Sequence, residues 1–278
     1  MSDAELEAPR PLREPGDTDA VTYAWADAGA ELYGLVRVAE GIEGDGSPGR
    51  SALVVALSGR STVAAAASAD GVTATVEEPL VRWSVRSSGE PAFALEFAAL
   101  TPPAEVGGRQ AVARAGGMEG YEQLCRVRGS VRVDGRERPV RGLGQRGRSW
   151  GNPDWDKIAL TRSVGAWLDD GTGVVIASVR GTGAQSHADE ARWAAALDAQ
   201  RVRRVQEPRL STTTDGAGRQ IRAGLELWGE DDFSFRGVGD ALAGTTLDLG
   251  GLRLDCAFFR WHVEGRTAVG RYDILRRA

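Results

Sequence analysis

Hydropathy alternates with a period of two along most of this chain. Residues 52–58, 62–68 and 72–76 are short apolar–polar runs separated by turns that contain glycine. Residues 81–85 and 92–97 follow. Residues 124–133 alternate through Leu-Cys-Arg-Val-Arg-Gly-Ser-Val-Arg-Val before an Asp134-Gly135 turn. The pattern predicts further strands at 158–168 and 174–179, joined by a hairpin turn at 169–173, and others at 192–198, 202–205, 219–228 and 233–238. A last hairpin joins 252–263 to 267–275 across Glu264-Gly-Arg. Helical signals are confined to residues 116–124 and the alanine-rich stretch 188–199. Many short strands at close spacing predict an all-β protein built as barrels or sandwiches, not βαβ units. About 250 ordered residues exceed one small barrel and suit two. The expected organisation is a disordered tail over 1–20, a β domain over 21–145 and a β-barrel domain over 146–278.

Composition narrows this picture. The chain has 278 residues, 42% hydrophobic and 26% charged, which is enough apolar content for a packed core. Part of the net charge of -5 sits in residues 2–20, where six acids outnumber two arginines and three prolines break the chain. That composition predicts disorder. There is no run of roughly 18 apolar residues that would span a membrane. A basic, then apolar, leader is also missing, so the expectation is a cytoplasmic protein without a transmembrane segment. Cys125 and Cys256 are too few for a disulfide framework and are expected to be reduced. His187 and His262 are too few for a histidine metal site. No phosphate-binding loop, Gly-x-Ser-x-Gly elbow or Cys-x-x-Cys pair is present. The glycine spacing over 142–147 fits a dinucleotide loop but lacks the strand–helix–strand frame. No cofactor and no metal are therefore expected. The arginines are scattered and matched by acids, which argues against a nucleic-acid partner.

The chemistry concentrates in Gly-Leu-Gly-Gln-Arg-Gly-Arg-Ser-Trp-Gly-Asn-Pro-Asp-Trp-Asp, residues 142–156. It places Trp150 and Trp155 beside Arg146 and Arg148 and beside Asp154 and Asp156. Aromatic faces next to acids and arginines suit a pocket that holds an apolar ligand and moves a proton or stabilises a cation. The same residues would also form a packed tryptophan corner with surface ion pairs. Tyr121-Glu122-Gln123 is a second cluster, read either as donors and acceptors facing a barrel lumen or as a strand entry with a solvated glutamate. Trp83 and Trp261 are candidate cavity-lining residues within a scattered set of packing tryptophans. Tyr23, Trp25 and Tyr33 read as first-strand core, and His262 as a satisfied core histidine.

The run Gly120-Tyr-Glu-Gln, then Arg-Val-x-Gly-x-Val-x-Val-Asp-Gly (126–135), then Gly-x-Gly-x-Arg-x-x-Ser-Trp-Gly-x-x-Asp-Trp (142–155) resembles the superfamily of carotenoid 1,2-hydratases and AttH-like proteins. It lies nearest that superfamily's uncharacterised bacterial branch. The resemblance implies two packed lipocalin-like β-barrel domains that hold a long hydrophobic molecule. It also implies water addition, terpene cyclisation or [4+2] cycloaddition without metal or nucleotide. The family usually carries an Asp-His pair before Ser-Trp-Gly and an arginine before Asp-Trp. This chain has Gly147-Arg148 and Pro153 there.

Three readings follow. In the first, the protein is a cyclase or hydratase in which Asp154 or Asp156, with Glu122 as third candidate, protonates a carbon–carbon double bond of an isoprenoid or polyene. Burial in an apolar pocket would keep that acid protonated. Extended backbone would point Asp154 and Asp156 to one face, and Trp150 and Trp155 would stabilise the cation. In the second, the protein is a pericyclic cyclase in which Arg146, Arg148, Gln123 or Tyr121 polarises a carbonyl of a folded polyene. In the third, it is a lipid-binding barrel without turnover.

Overall fold

A computed structural model of the chain describes residues 3–67, 71–169, 171–229 and 234–278. Ser2, Ser68, Asp170 and Phe233, which fall in the expected segments, lie outside the described residues. Ten strands form the N-terminal sheet: β1 (Thr18–Asp27), β2 (Leu32–Ile42), β3 (Pro48–Ser58), β4 (Ser61–Ala67), β5 (Val72–Glu78), β6 (Arg82–Ser87), β7 (Phe93–Ala99), β8 (Ala104–Val106), β9 (Met118–Val133) and β10 (Arg136–Gly151). Their order is β4-β3-β2-β1-β10-β9-β7-β6-β5, with β8 added on β9, and the sheet bends into a half barrel. Eight more strands, β11 (Ile158–Trp167), β12 (Gly173–Gly181), β13 (Ala191–Leu197), β14 (Val202–Thr214), β15 (Gln220–Gly229), β16 (Ser234–Asp248), β17 (Leu252–Val263) and β18 (Arg266–Arg277), close a barrel in chain order. The all-β class expected from the alternation and the lipocalin-like form implied by the resemblance are what the chain adopts. Among the described residues, no helix is long and apolar enough to cross a membrane.

Both helical expectations are corrected. Residues 118–124 belong to β9, and 191–197 form β13. In β13, Trp193, Ala195 and Leu197 pack toward the N-terminal sheet while Ala194 and Ala196 face the barrel core. A strand buried on both faces loses its polar alternation, and small alanines let the two layers approach. The helix in this region is α2 (Ala111–Gly116), stopped by Gly117 at a left-handed φ of 62°. His262 is exposed on the outer wall of β17 and is not a core residue.

The acidic segment also differs from expectation. Residues Asp3–Glu7 form a short helix, α1, in which Leu6 and Glu7 are buried, and β1 already begins at Thr18. Composition measures only the lack of apolar surface. It does not count the buried ion pairs that Glu7 and Asp19 make. The expected boundary at 145/146 falls inside β10, and the chain leaves the sheet for the barrel through the turn at 152–157.

Three cores result. One fills the half barrel around Tyr23, Trp25, Trp83 and Phe97. One fills the closed barrel around Phe259, Trp261 and Tyr272. The third joins sheet to barrel and includes Tyr33 stacked on Phe258, with ring centroids 5.5 Å apart. Strand β10 lies between the first and third cores. Its alternation sends Arg146 and Arg148 into the half barrel and Gln145 toward the closed barrel.

Candidate functional site

Inside the half barrel, register does the assembly. Arg146 on β10 stands opposite Gln123 on β9 and Tyr23 on β1, and Arg148 stands opposite Tyr121. Trp83 comes from β6 across the fold. The Arg146 side chain is 0% exposed. Its guanidinium lies 4.7 Å from the Trp83 ring centroid and 5.0 Å from that of Tyr121, and it donates to the Tyr121 hydroxyl oxygen. Contacts of this kind are worth about 2 kcal/mol when desolvated. Burial works against the Arg146 charge, but Tyr121, Tyr23 and Glu7 more than offset it and its pKa rises. Burial likewise raises the Tyr121 phenol, with Arg146 opposing, so the phenol stays neutral. Its own proton remains available to a ligand, polarised by the guanidinium it accepts from.

Glu7 completes this cluster. Its carboxylate accepts from Arg146 Nη2 at 2.6 Å, Trp83 Nε1 at 2.8 Å and the Leu80 backbone N–H at 3.3 Å. Arg148 donates to the Glu7 carbonyl and pairs with Asp19 at 2.6 Å through Nη2 and 2.9 Å through Nε. Gln123 Nε2 donates to the carbonyls of Leu80 and Thr101. Leu80 itself sits at a φ of 56°, a left-handed conformation that a leucine adopts at a cost, with both its backbone groups in use. Trp150 is half-buried beside Leu6, Leu80 and Tyr121, with the Arg10 guanidinium 4.1 Å above its ring. Six expected residues therefore converge here: Trp83, Tyr121, Gln123, Arg146, Arg148 and Trp150.

The others do not. Asp154 and Asp156 lie in the turn, not on extended backbone. Asp154 Oδ1 accepts from the Asp156 N–H, and the Asp154 carbonyl accepts from Lys157 and Ile158. Their side chains are 49% and 87% exposed and pair with Lys157 and Arg277. The hydrogen bond from Lys157 lowers the Asp154 pKa. Neither residue therefore has the apolar burial a protonated acid needs, and the expected proton-donor role is corrected on that ground. Trp155 packs against the core between sheet and barrel. Trp261 faces the lumen of the closed barrel, away from Trp83.

Glu122 points the opposite way from Tyr121, toward the barrel. There it accepts from Gln145 Nε2 at 2.8 Å and lies 3.5 Å from Arg271. The bare Cα of Gly147 makes room for it, since a Cβ would stand 2.4 Å from Glu122 Oε2. Gln145 Oε1 accepts from Trp167 Nε1 at 3.0 Å. Arg271 also pairs with Asp273 at 3.4 Å, and Asp273 Oδ1 is buried without a hydrogen-bond partner. Burial raises the Asp273 pKa against the pull of Arg271. Between the ordinary carboxylate pKa and this raised one, the folded chain holds a proton that the unfolded chain has released. Stability is expected to fall as pH climbs through that window. Urea midpoints measured from pH 4 upward should show this slope in the native chain and lose it in Asp273→Asn.

Sequence reasoning missed Glu7, Asp19, Leu80, Gln145, Arg271 and Asp273. For Arg271 and Asp273 a signal existed: two opposite charges at i and i+2 put both on one face of the otherwise apolar stretch 268–275. For Glu7 there was none, because its partners are remote in sequence. The described cavities lie elsewhere. One, of about 470 Å³, opens beside Arg126, Arg128 and Arg141. The other, of about 440 Å³, lies beside Arg82, Arg86 and Glu96.

A sequence family described as Domain of unknown function (DUF7064) matches residues 3–278. No curated protein matches the sequence. Similar solved structures include an AttH-like protein from Nitrosomonas europaea, with a TM-score of 0.68, 16% identity, and 96% of this chain and 97% of that chain covered. CghA in complex with Sch210972 has a TM-score of 0.69 at 11% identity, covering 95% and 89%. Kievitone hydratase from Nectria haematococca has a TM-score of 0.57 at 12% identity, also covering 95% and 89%.

Proposed function

The chain belongs to the DUF7064 family, and from that premise and the geometry of the half barrel we propose that it is a cofactor-independent enzyme acting on a hydrophobic small molecule, with ring closure of a polyene as the reaction. The observation that carries this reading is the buried Arg146–Tyr121 pair set against Trp83 in an aromatic wall. A carbonyl bound there would accept from the Tyr121 hydroxyl, and electron density drawn onto its oxygen activates a conjugated alkene without any proton reaching carbon. Tyr23, Trp25, Trp83 and Phe97 form the packed apolar core beside this pair, and a flexible chain held there in a reactive conformer would have to displace part of it. Arg148 and Gln123 act through position: one is pinned to Asp19, the other holds the Leu80 turn. The crystal complex of CghA with Sch210972 supports a small-molecule ligand for this fold.

A second reading, proton-initiated hydration or cyclisation of an isoprenoid, keeps support from one feature, the buried Asp273 carboxyl whose pKa is raised, and from a neighbour named as a hydratase. Solvent deuterium separates the two. Linear conjugated polyenes bearing a ketone or acid group are incubated in D2O, and products are read by mass spectrometry. Ring closure by carbonyl polarisation is expected to give cyclic product with no deuterium on carbon. One carbon-bound deuterium per turnover, lost in Asp273→Asn, would move the reaction to the second reading. Recovery of every polyene unchanged would leave a binding protein.

A further inference from the structure

The half barrel buries Arg146 and Arg148 with the carboxylates of Glu7 and Asp19, and Glu7 comes from a segment that is not part of the sheet. Arg148 is satisfied by Asp19 on β1. Among the described residues, Arg146 has Glu7 as its one close anionic partner, and its Nε is buried without a hydrogen-bond partner. Three donors from two places in the fold converge on the Glu7 carboxylate: a guanidinium from β10, and, from β6 and the turn leading into it, the Trp83 indole and the Leu80 backbone N–H. The Leu80 N–H is aimed there by a left-handed backbone. Such convergence, with a strained residue supplying one donor, describes an anion-binding site more than an incidental ion pair. Glu7 is presented by a five-residue helix fastened mainly by Leu6, the Glu7 contacts and Arg10 over Trp150.

We propose that Glu7 is the resident stand-in for a ligand carboxylate, and that residues 3–10 form a plug withdrawn when an acid with a long apolar chain enters the half barrel. This rests on the reading that the half barrel is the ligand chamber, and it names the ligand class: a carboxylic acid carrying an unsaturated hydrocarbon chain. With Glu7 out, the site carries one uncompensated positive charge, two neutral donors and an aromatic wall. A fatty acid matches all three; its ester lacks the charge. With Glu7 in, the space where a head group would sit is filled.

The test uses the full chain and cis-parinaric acid, a fluorescent conjugated polyene acid, beside its methyl ester. Leu6→Ser loosens the plug without touching the donors. Glu7→Gln keeps the shape and removes the charge. Both variants are expected to bind the acid at least tenfold more tightly than the native chain and to leave ester affinity unchanged. Adding Arg146→Met to Leu6→Ser should erase the gain. Glu7→Ala should melt at a lower temperature, with the acid restoring the midpoint and the ester failing to. Equal acid affinity in the native chain and both variants would overturn the plug, as would a gain shared by the ester. So would absence of binding in variants that still melt cooperatively. A chain that gains acid binding yet converts no polyene supports the plug and removes the catalytic reading. Conversion of polyenes with no such gain overturns the plug alone.

Discussion

Arg146→Met is expected to lower folding stability by about 3–5 kcal/mol and to abolish turnover. The stability loss does not measure the worth of the Arg146–Glu7 bond. It arises because Glu7 is left in a desolvated site with its closest cation removed, and a single buried charge costs more than a buried pair returns. The double variant Arg146→Met, Glu7→Gln removes both charges. It is expected to recover most of that loss, since methionine fills much of the vacated volume and glutamine keeps an acceptor for Trp83 Nε1 and Leu80 N–H. Urea unfolding of the native chain, the two single variants and the double variant would give the coupling directly. Activity should behave differently. The double variant folds but lacks the guanidinium that polarises Tyr121, so its turnover should stay down by roughly a hundredfold or more. Recovery of stability together with activity would show that Arg146 serves the fold alone.

Gly270→Ala is the second large effect, and it acts on the barrel. Strands β11 and β18 close the barrel in one continuous register, with Val164 opposite Tyr272 and Trp167 opposite Val269. In that interval a Cβ on Gly270 would lie 1.9 Å from the Gly165 carbonyl oxygen. The obstacle is backbone on the opposing strand, so no side chain can turn aside. The seam must part, and a loss of about 3 kcal/mol or more is expected, at the upper end of overpacking costs. Gly183 is the control, because nothing lies within 4 Å of its added Cβ and Gly183→Ala should melt like the native chain. Similar midpoints for the two variants in thermal melts would mean that the seam is not a stressed part of the barrel. Opening it would also disturb Arg271 and Asp273, which β18 presents to the sheet.

The composite of half barrel and barrel explains why polar chemistry here is split between two faces of the same strands. On β9, Tyr121 and Gln123 face the half barrel while Glu122 faces the barrel. On β10, Arg146 and Arg148 face one way and Gln145 the other. Three consecutive residues read from the sequence as one cluster therefore serve two separate environments. The grouping of Asp154 and Asp156 with Trp150 failed for another reason. Adjacency in sequence carries through a strand but not through the turn that follows Gly151, where the Asp154 carboxylate closes its own loop and faces water.

What the sequence determined by itself is local. Period-two alternation and glycine-bearing turns are enough to define strands, hairpins and the all-β class, because side chains of a strand must alternate whatever it pairs with. Concentration of indoles and arginines at 142–156 marked the strand that carries the candidate site. Tertiary structure alone decided which face of that strand met which partner. Both faces of β10 are buried over 144–148, so polarity gave no inside and outside to choose between there. It also brought Glu7 to Arg146 across 139 positions, turning a segment with the composition of a solvated tail into part of the chamber wall. A desolvated ion pair depends on where the chain returns in space, and no property of either residue's neighbours in sequence records that.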